Sequence, residues 1–209
     1  PMEAIIFDVD GTLYDKFRQY RPGRGTIDDA HNFFRQEAYK RALDGIADEQ
    51  ATIDELITSY KLHAGHICDV LEPALLEEFR HEVERYGSNG KVFSDGFGTN
   101  SNFLSTLISS IDFNDILAPD QELIQTIDHL KRKEYKLGIM TTEVFQTVQN
   151  VCESLGLYLG DFVFEDHPCL RTDDGKYPIL CANNISQKKP SLEPFEKILA
   201  VTGFNPCDV

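Results

Sequence analysis

Basic side chains are scarce in this sequence. Its 209 residues hold 20 lysines and arginines against 35 aspartates and glutamates, a formal net charge of −15. A chain this acidic repels nucleic acid and anionic membrane surfaces, so neither is expected as a partner. A local basic pocket for one small anion remains compatible with that field. Long apolar runs are missing too: none approaches the roughly 20 residues that a membrane span needs. No cationic stretch followed by an apolar one stands near the start, so no secretory leader is expected. Cysteine is sparse. Cys68, Cys152, Cys169, Cys181 and Cys207 are odd in number, scattered and without C-x-x-C spacing. That argues against a disulfide framework or a zinc site. It favours free thiols in a reducing compartment, the cytoplasm or also the nucleus.

What is present is ordinary globular material. Hydrophobic residues make up 41% and charged residues 26%, enough for a packed core. At about 150 residues per domain the length corresponds to one domain or two small ones. Short apolar runs at Ala4-Ile5-Ile6-Phe7, at Lys136-Leu137-Gly138-Ile139-Met140 and at Asp161-Phe162-Val163-Phe164 predict buried strands. Helical stripes follow. Leu123, Ile124, Ile127 and Leu130 share a face after Pro119-Asp120. Val144, Val148, Val151 and Leu155 share another, with Gly156 as its stop. Phe195, Ile198 and Leu199 form a third, between Ser191 as N-cap and Gly203. Strands alternating with helices of this length predict β-α-β units on a parallel sheet.

The stretch from Asp15 to Phe113 differs. It shows helical faces at Ala30/Phe33/Phe34/Ala38, at Ile53/Leu56/Ile57/Tyr60 and at Leu75/Leu76/Phe79/Val83/Tyr86. A turn is expected at Asp44-Gly45. Loop-like segments are expected around Gly87-Ser88-Asn89-Gly90 and Gly96-Phe97-Gly98. A long helical insert thus separates the first strand from the second.

Asp8 and Asp10 stand at the carboxyl end of the first strand, just before Gly11. In an open parallel sheet, ligands bind outside those carboxyl ends. Two carboxylates so close repel unless one holds a proton or a cation lies between them. A hard divalent ion with oxygen ligands, such as Mg²⁺, answers that need. An EF-hand loop fails here, because Leu13 and Gln19 occupy its glycine and glutamate positions. No G-x-x-x-x-G-K-[ST] loop exists in the chain. A structural aspartate pair capping a turn is the bland alternative. Thr141 ends the second strand, where its hydroxyl can donate to a phosphate oxygen or simply cap the next helix. Lys188-Lys189-Pro190 precedes the Phe195 helix. A lysine there is a solvated charge, or a counter-charge for a carboxylate and a phosphate.

Taken together, Asp8-Val9-Asp10-Gly11-Thr12-Leu13-Tyr14, then Leu137-Gly138-Ile139-Met140-Thr141, then Lys189-Pro190, resemble the haloacid dehalogenase-like (HAD) hydrolase superfamily. The stretch from Tyr14, and Ala118-Pro119-Asp120-Gln121-Glu122-Leu123, are most similar to pyrimidine 5′-nucleotidase-like members with an α-helical cap. The resemblance implies an α/β fold, with a Rossmann-like parallel core at 1–14 and 114–209 and an inserted helical cap at 15–113. It implies Mg²⁺-dependent hydrolysis of a small phosphorylated metabolite, with a nucleoside monophosphate as the narrower expectation. Asp8 would be the nucleophile that becomes an aspartyl-phosphate, and Asp10 the general acid and base. Mg²⁺ would bind the Asp8 side chain and the Asp10 carbonyl. Thr141, Thr142 and Lys189 would bind the substrate phosphate. The cap would exclude water and select the substrate.

Tyr14, Phe17 and Tyr20 are candidates for lining the cavity or for packing. Arg18, Arg21 and Arg24 flank Pro22-Gly23 and read as a solvated loop before they read as anion contacts. His63 and His66 lack a third ligand at suitable spacing. The superfamily's fourth motif, an acidic pair after a last buried strand, is not found. Asp208 falls too early for it, and the remaining metal ligand and last core strand are expected beyond Val209. The expectation is therefore a fragment. The alternatives are a catalytically impaired phosphate- or partner-binding remnant, or a phosphomutase or phosphotransferase using the same intermediate.

Overall fold

The computed structural model describes residues 4–187 and 189–204. Lys188, Cys207 and Asp208 lie outside the described residues. In chain order the elements begin with β1 (Ala4–Phe7). Six helices follow: α1 (Ile27–Asp44), α2 (Glu49–His63), α3 (Pro73–Tyr86), α4 (Asn89–Lys91), α5 (Phe103–Ser109) and α6 (Phe113–Ile116). Then come α7 (Gln121–Arg132), β2 (Lys136–Ile139), α8 (Phe145–Leu155), the two-residue strands β3 (Arg171–Thr172) and β4 (Gly175–Lys176), and α9 (Leu192–Thr202). The chain divides into two compact units. Phe17–Ile116 is all helical; residues up to Lys16 and from Leu117 onward form an α/β unit.

Local chemistry sets the helix ends of the helical unit. Thr26 caps α1, accepting from the Asp29 N–H at 3.1 Å while the Asp29 carboxylate accepts from the Thr26 N–H at 2.8 Å. This reciprocal box satisfies two donors that a helix start otherwise leaves open. Asp48 caps α2 through the Ala51 N–H, and α3 stops where Gly87 takes a left-handed conformation. The buried faces meet in an aromatic cluster. Phe34 and Tyr60 lie 4.8 Å apart, Phe79 and Phe93 5.6 Å, and Phe93 and Phe103 5.5 Å. Each such buried ring stabilises by about 1.5–3 kcal/mol. The exposed pairs Lys40–Glu72 and Arg41–Glu55 contribute at most about 1 kcal/mol apiece, so packing rather than charge holds this unit. The segment expected to be loop-like around Gly87–Gly90 and Gly96–Gly98 instead contains α4 and a π-helical turn, Val92–Gly96. Ser88 caps α4, and burial of Val92 and Phe93 compensates for its glycines.

In the α/β unit, β1 and β2 pair in parallel with Ile5 opposite Leu137 and Phe7 opposite Ile139. Met140 extends the ladder, its N–H bonding the Phe7 carbonyl at 2.9 Å. The strand expected at Asp161–Phe164 does not form. Leu159–Phe162 makes a 3₁₀ turn, which places Phe162 fully buried with its ring edge-on to Phe7 at 5.8 Å. The place beside β2 is taken by Leu180, bridged in parallel to Met140. Its N–H bonds the Ile139 carbonyl at 3.1 Å, and its carbonyl accepts from Thr141 at 3.0 Å. Met140, Leu170, Leu180 and Ile198 form the core beneath, flanked by Ile6 and Phe164. Asp120 caps α7, Gly156 ends α8, and Ser191 and Gly203 bound α9. Among the described residues no helix is long and apolar enough to cross a membrane, and Cys68, Cys152, Cys169 and Cys181 are free thiols.

Candidate active site

Beyond Phe7 the chain leaves the ladder and turns back sharply. The N–H groups of Thr12 and Leu13 both donate to the Val9 carbonyl, at 3.2 and 3.0 Å. Gly11 makes this turn possible with φ +75°, a conformation that costs a side-chain-bearing residue roughly 1–2 kcal/mol. Val9, Leu13 and Tyr14 are buried, which leaves Asp8 and Asp10 half-buried between them at the carboxyl end of β1.

Asp8 is held from two sides. Its Oδ1 accepts from the Val9 N–H at 2.9 Å, and its Oδ2 lies 2.9 Å from Lys189 Nζ. The same ammonium donates to the Met140 carbonyl at 3.3 Å. Lys189 therefore joins the carboxyl ends of both parallel strands. Asp10 is held differently. The Tyr14 hydroxyl donates to its Oδ1 at 3.0 Å. Burial first, then the charge of Asp10 and the hydrogen bond to it, with Glu143 and Asp8 adding less, raise the Tyr14 phenol well above its ordinary value. The phenol stays protonated and acts as a donor.

Thr141 follows Met140 at the end of β2 and is almost fully buried. Its Oγ1 accepts from the Glu143 N–H at 3.2 Å, so the hydroxyl oxygen shapes the turn into α8. Thr142 is half-buried on the same turn. The first turn of α8 is capped from a distance: Asn183 Oδ1 accepts the Phe145 N–H at 2.8 Å. Asn184 bonds the Cys181 N–H and the Ile179 carbonyl, at 2.9 and 2.8 Å, and pins the same loop. Glu193 braces the approach to Lys189. Its carboxylate accepts from the Ser186 N–H and hydroxyl and pairs with Lys197 at 2.7 Å. Those bonds, Lys197 foremost, hold it down at about 2, so it is ionised at neutral pH.

Sequence reasoning missed the Met140 carbonyl, the Asn183 cap and the Glu193 brace, all of which act across long separations or through backbone atoms. The Tyr14–Asp10 bond had a signal in its four-residue spacing. In the helical unit, His63 Nδ1 lies 2.8 Å from the Ser59 carbonyl and the ring stands 5.3 Å from that of His66. Arg18 stacks over Tyr20 at 4.7 Å. Burial pushes the Cys152 thiol up to about 12, which removes it as a nucleophile.

Among the described residues no group of three or more His, Cys, Asp or Glu side chains is placed to hold a metal. The donors a metal would take at the β1 end are the Asp8 carboxylate and the Asp10 peptide carbonyl, both hard oxygen. Mg²⁺ is commonly held by one or two carboxylates with water and substrate phosphate completing its shell, so this donor set fits it.

A parallel sheet that gathers acids and a lysine at the carboxyl ends of its strands has the arrangement at which α/β proteins in general bind ligands. Residues 2–209 match the family model described as haloacid dehalogenase-like hydrolase. The chain belongs to the haloacid dehalogenase-like hydrolase family and is a hydrolase of its phosphatase type. No curated protein matches it.

Proposed function

We propose that this protein hydrolyses small phosphate monoesters through Asp8, with a nucleoside monophosphate as the favoured substrate. Residues 1–14 and 114–209 serve as the catalytic core in this reading, and 15–113 as a cap that selects the substrate. The observation that carries the proposal is the Lys189–Asp8 contact of 2.9 Å, made where both parallel strands end. An ammonium there holds an Asp8 oxygen in place as the nucleophile and offsets the negative charge of an arriving phosphate. An Asp8 oxygen attacks phosphorus, and the phosphorus–oxygen ester bond breaks. Asp10 gives its proton to the leaving oxygen. Water then attacks the aspartyl-phosphate, Asp10 takes the proton back, and phosphate departs with the Asp8 carboxylate regenerated. Lys189, with Thr141 and Thr142, binds the phosphoryl oxygens. Mg²⁺, when bound by Asp8 and the Asp10 carbonyl, supplies neutralisation of charge developing on the transferring group.

A second reading is a phosphate-binding remnant that keeps the Lys189–Asp8 pair but turns over no ester. One experiment separates the two. A panel of phosphate monoesters, nucleoside monophosphates included, is assayed with Mg²⁺ and with chelator. The first reading expects turnover that chelation lowers by at least about a hundredfold. Saturable binding of inorganic phosphate with no turnover of any ester would establish the second.

A further inference from the structure

We propose that Tyr14 is a positioning residue that holds the carboxyl group of Asp10 in place for proton transfer. The inference rests on the phosphatase reading above and adds to it a residue outside the acid, the nucleophile and the phosphate contacts. The Tyr14 hydroxyl lies 3.0 Å from Asp10 Oδ1, and residues 10 and 14 also bridge through their backbones. The turn between them is anchored by two N–H bonds to the Val9 carbonyl. Tyr14 is only 4% exposed and Leu13 3%, so the ring cannot swing away without opening the core.

A carboxyl group that must give up a proton and later recover it needs one oxygen reserved for that traffic. A phenol bonded to Oδ1 engages that oxygen, donating to the carboxylate and able to accept from the acid, and leaves the other oxygen to the traffic. The same bond holds the carboxyl plane, which otherwise turns about its last side-chain torsion through a broad range. Proton transfer depends on heavy-atom placement within a few tenths of an ångström of hydrogen-bond distance. Tyr14 thus acts through Asp10.

The test compares two esters in the intact protein with Mg²⁺ present. An alkyl phosphate has a leaving oxygen that must be protonated, whereas p-nitrophenyl phosphate releases a stable anion. The quantity read is kcat/KM, which covers events up to the first irreversible step, formation of the aspartyl-phosphate. Wild-type turnover of both esters establishes the underlying reading first; its absence would overturn that reading and this inference with it. Given turnover, Tyr14→Phe keeps the ring and removes only the hydroxyl. It is expected to lower kcat/KM for the alkyl ester by about tenfold to a hundredfold, the range for losing one hydrogen bond to a carboxyl group. The nitrophenyl ester should change by less than about threefold. In an Asp10→Asn background the Tyr14→Phe effect on the alkyl ester should vanish, because the group it positions is no longer an acid. Equal losses on both esters, no loss on either, or the full effect persisting in Asp10→Asn would overturn the assignment. So would failure of Tyr14→Phe to melt cooperatively near the wild-type temperature, since the hydroxyl would then be serving the fold.

Discussion

Asp8→Asn is expected to leave a folded protein with no measurable turnover of phosphate esters, a loss on the order of 10⁴-fold or more. The amide is isosteric with the carboxylate but has no anionic oxygen with which to attack phosphorus. Its fold should survive for a reason visible in the structure. The Asp8 and Lys189 side chains are 39% and 24% exposed, and an ion pair so open to water contributes about 1 kcal/mol or less. The Val9 N–H that Oδ1 accepts can bond the amide oxygen instead, and Lys189 keeps the Met140 carbonyl. Turnover assays paired with thermal melts check this. Retained Mg²⁺-dependent turnover in a well-folded variant would remove Asp8 from the chemistry.

Lys189→Met carries the second large effect. Without the ammonium, the Asp8 carboxylate meets a phosphate without the positive charge that lies 2.9 Å from it. Two unit charges about 4 Å apart in a partly screened site repel by roughly 4 kcal/mol. The expected loss in kcat/KM is about 10²- to 10³-fold, similar to removal of one oriented donor from an anion-stabilising site. The loss should fall on both kcat and KM, because the lysine faces the nucleophile and the phosphate alike. Lys189→Arg should restore little of it: a planar guanidinium does not reproduce a point charge that reaches Asp8 Oδ2 and the Met140 carbonyl together. Steady-state kinetics on all three proteins decide the matter. Near-normal kcat/KM in Lys189→Met would show that the pair with Asp8 is structural only.

Much of the fold was legible because its helices carry explicit punctuation. α7, α8 and α9 end where Asp120, Gly156, Ser191 and Gly203 say they should. In α8, Val148, Val151 and Leu155 are buried as the 3.6-residue period requires, whereas in α9 Ile198 is buried but Phe195, expected on the same face, is 46% exposed. The third strand was misread because periodicity cannot tell a three-residue apolar run in a strand from one in a buried turn. Phe162 answers to the ring of Phe7, which lies far away in the sequence. The true neighbour of β2, around Ile179-Leu180-Cys181, is short and follows Pro178, so it lacked a strand's length.

The candidate site divides in the same way. Asp8, Asp10, Thr141 and Lys189 could be picked out by their places next to strands and a helix. Their spatial relation could not, since it depends on the parallel register that sets Phe7 beside Ile139. Asn183 capping α8 and Glu193 bracing Ser186 are products of tertiary packing with no local pattern. Tyr14 lay between these extremes. Its spacing from Asp10 was visible, but the tight turn at Gly11 that brings hydroxyl to carboxylate was not.

In the proposed mechanism Asp8 supplies the oxygen that becomes phosphorylated, and acid quenching tests that directly. The protein is mixed with p-nitrophenyl phosphate and Mg²⁺, stopped in acid within the first turnovers, digested and weighed peptide by peptide. Aspartyl-phosphates survive acid long enough for this. One phosphoryl group is expected on the peptide containing Asp8, lost on neutral hydroxylamine treatment and absent from Asp8→Asn. Turnover in the wild-type protein with that peptide unmodified, or with the phosphoryl group on another residue, would contradict that mechanism.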